Sequence, residues 1–161
     1  LADYYTKFSM ILPAQEGEEQ EWLRSAAKEL ERVVSDDLDA DECLRTSAAP
    51  DLTKLLLEVL DDLGYGAPNN VLPAAYAFEE RGCWLHTEDV GGTDFAAALI
   101  QAFLRRFNKT DVIGFEFAHD CSKPRLDAYG GGAMVITAQV TRWMTTYEWM
   151  QDTLRSFQSD E

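Results

Sequence analysis

The segment His119-Asp120-Cys121-Ser122-Lys123-Pro124-Arg125 gathers an imidazole, a carboxylate, a thiol and two cations, and Gly130-Gly131-Gly132 follows close behind. Glycines let backbone N–H groups approach a ligand, and Lys123 with Arg125 favour an anionic guest such as a phosphate or carboxylate group. The residues 119–132 read as the connection between the last two strands, a place where function often sits on a rigid sheet. The same residues also serve as a long hairpin loop, stiffened by Pro124 and turned by the glycines. Cys121 becomes a nucleophile only as the thiolate, and His119, two positions away on an extended segment, projects to the side that lets it act as the base. His86 is the other imidazole available. A packed, inert cysteine is the ordinary alternative.

Two metal readings fail on spacing. Cys83, His86, His119 and Cys121 are ligand types of a structural zinc site, yet Cys83 and His86 lie three apart and face opposite sides of a strand. Asp37, Asp39 and Asp41 alternate as at the start of a calcium loop, but Glu42 stands where the glycine is needed and Ala48 where the bidentate glutamate is needed. No metal or cofactor is expected. The phosphate-binding G-x-x-x-x-G-K-[ST] and G-x-G-x-x-G runs are missing, as are G-x-S-x-G and H-E-x-x-H.

Charge narrows the partners. The 161 residues carry 29 acids against 14 bases, a net charge of -15. Such a balance opposes direct binding to nucleic acid or anionic membranes, both of which demand clustered Lys and Arg. Residues 1–65 hold 16 of the acids and 6 of the bases, so the N-terminal part is the more acidic. Glu16, Glu18, Glu19, Glu21, Asp36, Asp37, Asp39, Asp41 and Glu42 form the candidate interaction face, aimed at another protein with a basic surface. Negative side chains in the first turns of a helix also suit its dipole, a structural reason for the same acids. Three cysteines, Cys43, Cys83 and Cys121, point to reduced thiols and a cytoplasmic setting, and the longest apolar runs are too short for a membrane span.

The elements that must position these groups follow from periodicity. Residues 4–12 read as a strand with Thr6, Phe8, Met10 and Leu12 on one side. Residues 16–34 place Trp22, Leu23, Ala26, Ala27, Leu30, Val33 and Val34 on one helical stripe. Leu52, Leu55, Leu56, Val59, Leu60 and Leu63 mark a second helix, with Asp51 expected to cap its start and Gly64 its end. A hairpin over 74–87 turns at Glu80-Arg81-Gly82, after a turn region at 66–70. A third helix follows Gly91-Gly92, with Thr93 and Asp94 as caps, and ends near Asn108. Strands at 112–118 and 133–140 precede a last helix that starts at Thr145 or Thr146, with a Thr145-x-x-Glu148 capping box, and is expected to bury Trp149, Met150, Leu154 and Phe157.

The expected architecture is a single α+β domain over 1–161, a mainly antiparallel sheet of about five strands with about four helices in the order β-α-α-β-β-α-β-β-α. The leading functional expectation is a non-enzymatic acidic interaction or regulatory protein, in its extreme form a DNA-mimic inhibitor. The alternative is a small enzyme or anion-binding domain centred on residues 119–132. Exposed aromatics such as Tyr147 or Trp143 make a homodimer compatible with either.

Overall fold

The computed structural model describes residues 4–35, 39–63, 75–87, 92–126 and 128–158. The chain runs β1 (Tyr4–Pro13), α1 (Glu18–Ser35), α2 (Ala40–Arg45), α3 (Pro50–Leu63), β2 (Ala75–Glu79), β3 (Gly82–Thr87), α4 (Thr93–Arg106), β4 (Ile113–Cys121), β5 (Gly130–Ile136), β6 (Thr141–Thr145) and α5 (Thr146–Gln158). The strands form one antiparallel sheet in the order β2-β3-β1-β4-β5-β6. The N-terminal strand is therefore central, flanked by the two hairpins that the sequence pattern separates.

Alternation along each strand sends one set of side chains to the core. Phe8 and Leu12 of β1, Cys83 and Leu85 of β3, Phe115 and Phe117 of β4, and Met134 and Ile136 of β5 join the buried cluster. Leu23, Ala26, Leu30 and Val33 of α1 and Leu52 and Leu56 of α3 meet them from the helical side. Between them lies α4, buried over every residue from Phe95 to Leu104. A helix buried all round needs neighbours on all sides, and α4 finds them in α1, α3 and the sheet.

Several boundaries differ from the sequence expectation, each for a local reason. The strand expected at 133–140 ends at Ile136, because the Thr137 hydroxyl accepts hydrogen bonds from the Gln139 and Val140 N–H groups and closes a turn into a sixth strand. A fifth helix, α2, arises inside the acidic loop, where the Asp39 carboxylate accepts the Glu42 N–H at 2.8 Å. Pro50 occupies the first position of α3, so Asp51 falls inside the helix rather than capping it. Gly92 is the residue before α4, and Thr93 and Asp94 likewise lie within the first turn. The helix stops as expected, with Asn108 in the left-handed region at φ 49°. The expected cap Gly64 and the turn at 66–70 lie outside the described residues.

The largest correction concerns α5. Its start is as expected, with Thr145 Oγ1 accepting the Glu148 N–H at 3.1 Å, but none of its residues is buried. Trp149, Met150, Leu154 and Phe157 all stand in solvent. Among the described residues, helix α5 packs chiefly on β5 and β6 at the sheet's edge, whereas α1, α3 and α4 pack on one another.

One polar network ties the three leading helices together. The buried Glu29 of α1 pairs with Arg32 through two hydrogen bonds of 3.0 and 2.6 Å, and accepts a third from the Thr53 hydroxyl of α3 at 2.8 Å. Arg32 also donates to the Cys43 carbonyl of α2 at 2.9 Å. The Arg32 guanidinium, helped by Thr53 and Ser47, holds the Glu29 carboxyl below its ordinary range despite burial. A carboxyl lowered in this way stabilises the fold fully above its unfolded value, and that contribution disappears as pH falls through the lower, folded value. Replacement Glu29→Gln is expected to cost about 2–3 kcal/mol at neutral pH. The difference from the parent should shrink toward zero in acid. Denaturant titrations from pH 7 down to pH 3 check this, and a pH-independent difference would contradict it.

Candidate functional site

The residues at 119–132 do not form one loop. His119, Asp120 and Cys121 belong to β4, and Gly130, Gly131 and Gly132 belong to β5, with His119 paired to Gly130 in the ladder. The connection is only 122–129, and within it Lys123 and Arg125 are exposed. Two of the glycines answer to strand packing. A Cβ on Gly131 would collide with the Phe117 carbonyl oxygen, and one on Gly132 with that of Met144, so both neighbouring backbones approach too closely for any side chain.

Where β4 ends, β5 begins and α5 starts, a cavity of about 700 Å³ opens. Tyr5 and Thr6 of β1 and His119 and Asp120 of β4 are among its lining residues. Tyr129, Gly130 and Gly131, with Thr146, Tyr147 and Met150 of α5, also line it. The antiparallel register sets Tyr5 opposite Asp120 and Thr6 opposite His119. Thr6 Oγ1 and His119 Nδ1 lie 3.0 Å apart, which fixes the imidazole. Thr146 Oγ1 donates to the Gly131 carbonyl at 3.2 Å and pins the start of α5 to β5. The Tyr129 hydroxyl reaches the Lys123 carbonyl at 3.3 Å.

Of the residues singled out from sequence, His119, Gly130 and Gly131 line this cavity, whereas Cys121, Lys123, Arg125 and Gly132 do not. Among the described residues, the lining includes Asp120 and neither Lys nor Arg. No family model, curated protein or solved structure matches this chain. The chemistry of the cavity thus follows from its own residues: tyrosines, threonine hydroxyls and the His119 imidazole, while the Asp120 side chain alternates to the other face of β4, where its carboxylate meets Lys7 at 3.0 Å. Tyr5, Tyr129 and Tyr147 are its main additions to the sequence reading. They are distant in the chain, and no local pattern signals that they meet.

The other candidate groups are dispersed. Cys83 faces the core, while His86 stacks on Trp84 with ring centroids 3.9 Å apart on the opposite face of the sheet. Among the described residues, no three His, Cys, Asp or Glu side chains converge as a metal site. Much of the candidate acidic face has structural partners. Glu18 meets Arg106 at 3.6 Å, Glu19 meets Lys109 at 2.8 Å, Glu42 pairs with Arg45, and Asp39 caps α2. Burial pushes the Glu19 carboxyl upward, but hydrogen bonds from Lys109 and the Gln15 N–H outweigh it and leave the group below its ordinary range. Glu16, Glu21 and Asp41 stand exposed, and Asp36 and Asp37 lie outside the described residues.

All three thiols are inside: Cys43 is 1%, Cys83 2% and Cys121 8% exposed. Desolvation pushes the Cys83 thiol up to about 11. Alkylation of the native chain at neutral pH should therefore be slow at each cysteine and become fast only on unfolding. Peptide mapping after brief iodoacetamide treatment checks this, and rapid, selective labelling of Cys121 would restore it as a nucleophile.

Proposed function

We propose that this chain acts by association, as a non-enzymatic interaction or regulatory protein that binds a partner with a basic surface. The observation that carries the reading is the uncovered C-terminal helix. Tyr147, Met150, Leu154 and Phe157 recur at steps of three, four and three along α5, the stripe by which a helix attaches to something apolar. They are 59%, 45%, 48% and 76% exposed. Trp143 and Met144 of β6 add to the same edge of the molecule, at 57% and 52%. Clustered large side chains of this kind mark a surface meant for a partner.

A helix of 13 residues has little stability of its own in water, so covering its apolar stripe supplies free energy that the isolated chain lacks. The net charge of -15 selects the occupant. Two copies of the chain repel each other, whereas a basic surface is drawn in over long range and oriented before contact. Glu16, Glu21 and Asp41, exposed on the leading helices, contribute to that field. A DNA-mimic inhibitor is the special case in which the basic surface is a nucleic-acid-binding one.

A photo-reactive amino acid at position 157, introduced in the source cells, should form an adduct with an identifiable protein of net positive charge. The adduct should fall by more than tenfold when Leu154→Ser is added, and fall also as salt is raised before irradiation. Adducts confined to a second copy of the chain, or indifferent to both changes, would overturn the proposal.

A further inference from the structure

We propose that the cavity between β4, β5 and α5 is a binding site for an uncharged aromatic heterocycle that presents an N–H donor. The ligand is a small molecule, and the site is independent of the docking of a partner on α5. Three glycines open β5, and strand packing demands only two of them. A Cβ on Gly131 or Gly132 would strike a neighbouring carbonyl oxygen, whereas one on Gly130 would meet Thr146 Oγ1 alone, at an ordinary 3.7 Å. Gly130 is not among the glycines with positive φ either. Glycine inside a strand weakens it, so a glycine with no steric or conformational need marks a place where something approaches the backbone closely. Here it leaves open floor beside His119, its partner in the ladder.

The groups around that floor share one face of the sheet. Thr6, His119 and Gly130 are paired in register across β1, β4 and β5, so their side-chain directions agree. Tyr5 and Asp120 border the cavity too, but their side chains turn to the other face, where Lys7 Nζ lies 5.4 Å from the Tyr5 ring centre and 3.0 Å from Asp120 Oδ2. Among the described residues, the lining side chains on the Thr6 face include no carboxylate, ammonium or guanidinium, which favours an uncharged guest. Thr6 Oγ1, 3.0 Å from Nδ1, and the Phe117 ring, with its centre 5.3 Å away, hold the His119 imidazole in place. Thr146 and Met150, four apart on α5, share a side of that helix, and Tyr147 lies three before Met150. An imidazole, a phenol ring and a thioether are surfaces on which a flat ring packs well.

The polar atoms set the direction of the hydrogen bond. Thr146 Oγ1 gives its one proton to the Gly131 carbonyl at 3.2 Å, so it has lone pairs to offer a guest and no proton. A molecule seated over Gly130 must therefore donate there. Tyr147 and Met150, 59% and 45% exposed, lose contact with water when a ring covers them. A cavity of about 700 Å³ is the size of a small-molecule site and exceeds what one side chain fills.

The test is an NMR titration of the isotopically labelled full chain with indole, 1-methylindole, indole-3-carboxylate and N-acetyltryptophanamide. Indole should shift the amides of Gly130, Gly131 and Thr146 with a Kd on the order of 1 mM or below. 1-Methylindole, which lacks the donor, and the charged carboxylate should each bind about tenfold more weakly. Thr146→Val keeps the shape and removes the acceptor, and should bring indole and 1-methylindole to equal affinity. Gly130→Val should abolish indole binding and melt no lower than the parent. No saturable binding of indole below about 10 mM, shifts away from the cavity, equal affinity of the parent for indole and 1-methylindole, or undiminished binding to Gly130→Val would overturn the proposal. N-acetyltryptophanamide binding about tenfold more tightly than indole would assign the cavity to a tryptophan of a macromolecular partner, and would overturn it also. Leu154→Ser with Phe157→Ser should leave the titration intact, which separates this site from the docking surface on α5.

Discussion

The burial of α4 is the constraint on which the rest of the structure depends. From Phe95 to Leu104 every side chain of that helix is out of water, including Gln101, whose amide donates to the Thr137 carbonyl at 3.1 Å. The sheet supplies one wall, and α1 and α3 supply the others. Three consecutive alanines, Ala96, Ala97 and Ala98, let these neighbours approach closely, while Phe95 and Phe103 fill the larger spaces. Among the described residues, no helix covers the edge formed by β6 and α5, whose large side chains stay exposed.

The uncovered edge and the cavity are two results of that geometry. Helix α5 is tethered by the Thr145 cap and by the Thr146 bond to Gly131, which hold its first turn against β5 and leave its apolar stripe outward. The same first turn stands across from the ends of β1 and β4, and the gap between them is the cavity. The opposite face of the sheet, with Lys7, Ser9, Trp84 and Glu116 toward solvent, is the ordinary wet face of an antiparallel sheet. Its polar side chains are partly satisfied in place, as in the 2.8 Å bond from Trp84 Nε1 to Ser9 Oγ.

Charge and structure divide the acids between them. Glu29 works inside, joining α1 to α2 and α3 through Arg32 and Thr53. Glu19 and Glu18 hold Lys109 and Arg106, which follow or end α4, and so fasten the start of α1 to the end of the central helix. The residual negative charge is a property of the molecule as a whole and does not define a single site.

The α+β class, the strand in residues 4–12, the 80–82 turn and the stripe on α1 were legible in the sequence because each rests on contacts within a few residues. Periodicity and turn chemistry are local, and tertiary packing here agreed with them. Local patterns also placed the apolar residues of the last helix at 149–157, but not their environment. An amphipathic helix looks the same whether its apolar side meets a core or is left bare. Only the tertiary structure showed that α4 is buried throughout while α5, expected to bury Trp149, Met150, Leu154 and Phe157, buries none of them. It alone placed Tyr5, Asp120, Tyr129 and Tyr147 around one space, since strand order and register, which no short segment encodes, decide which distant residues become neighbours.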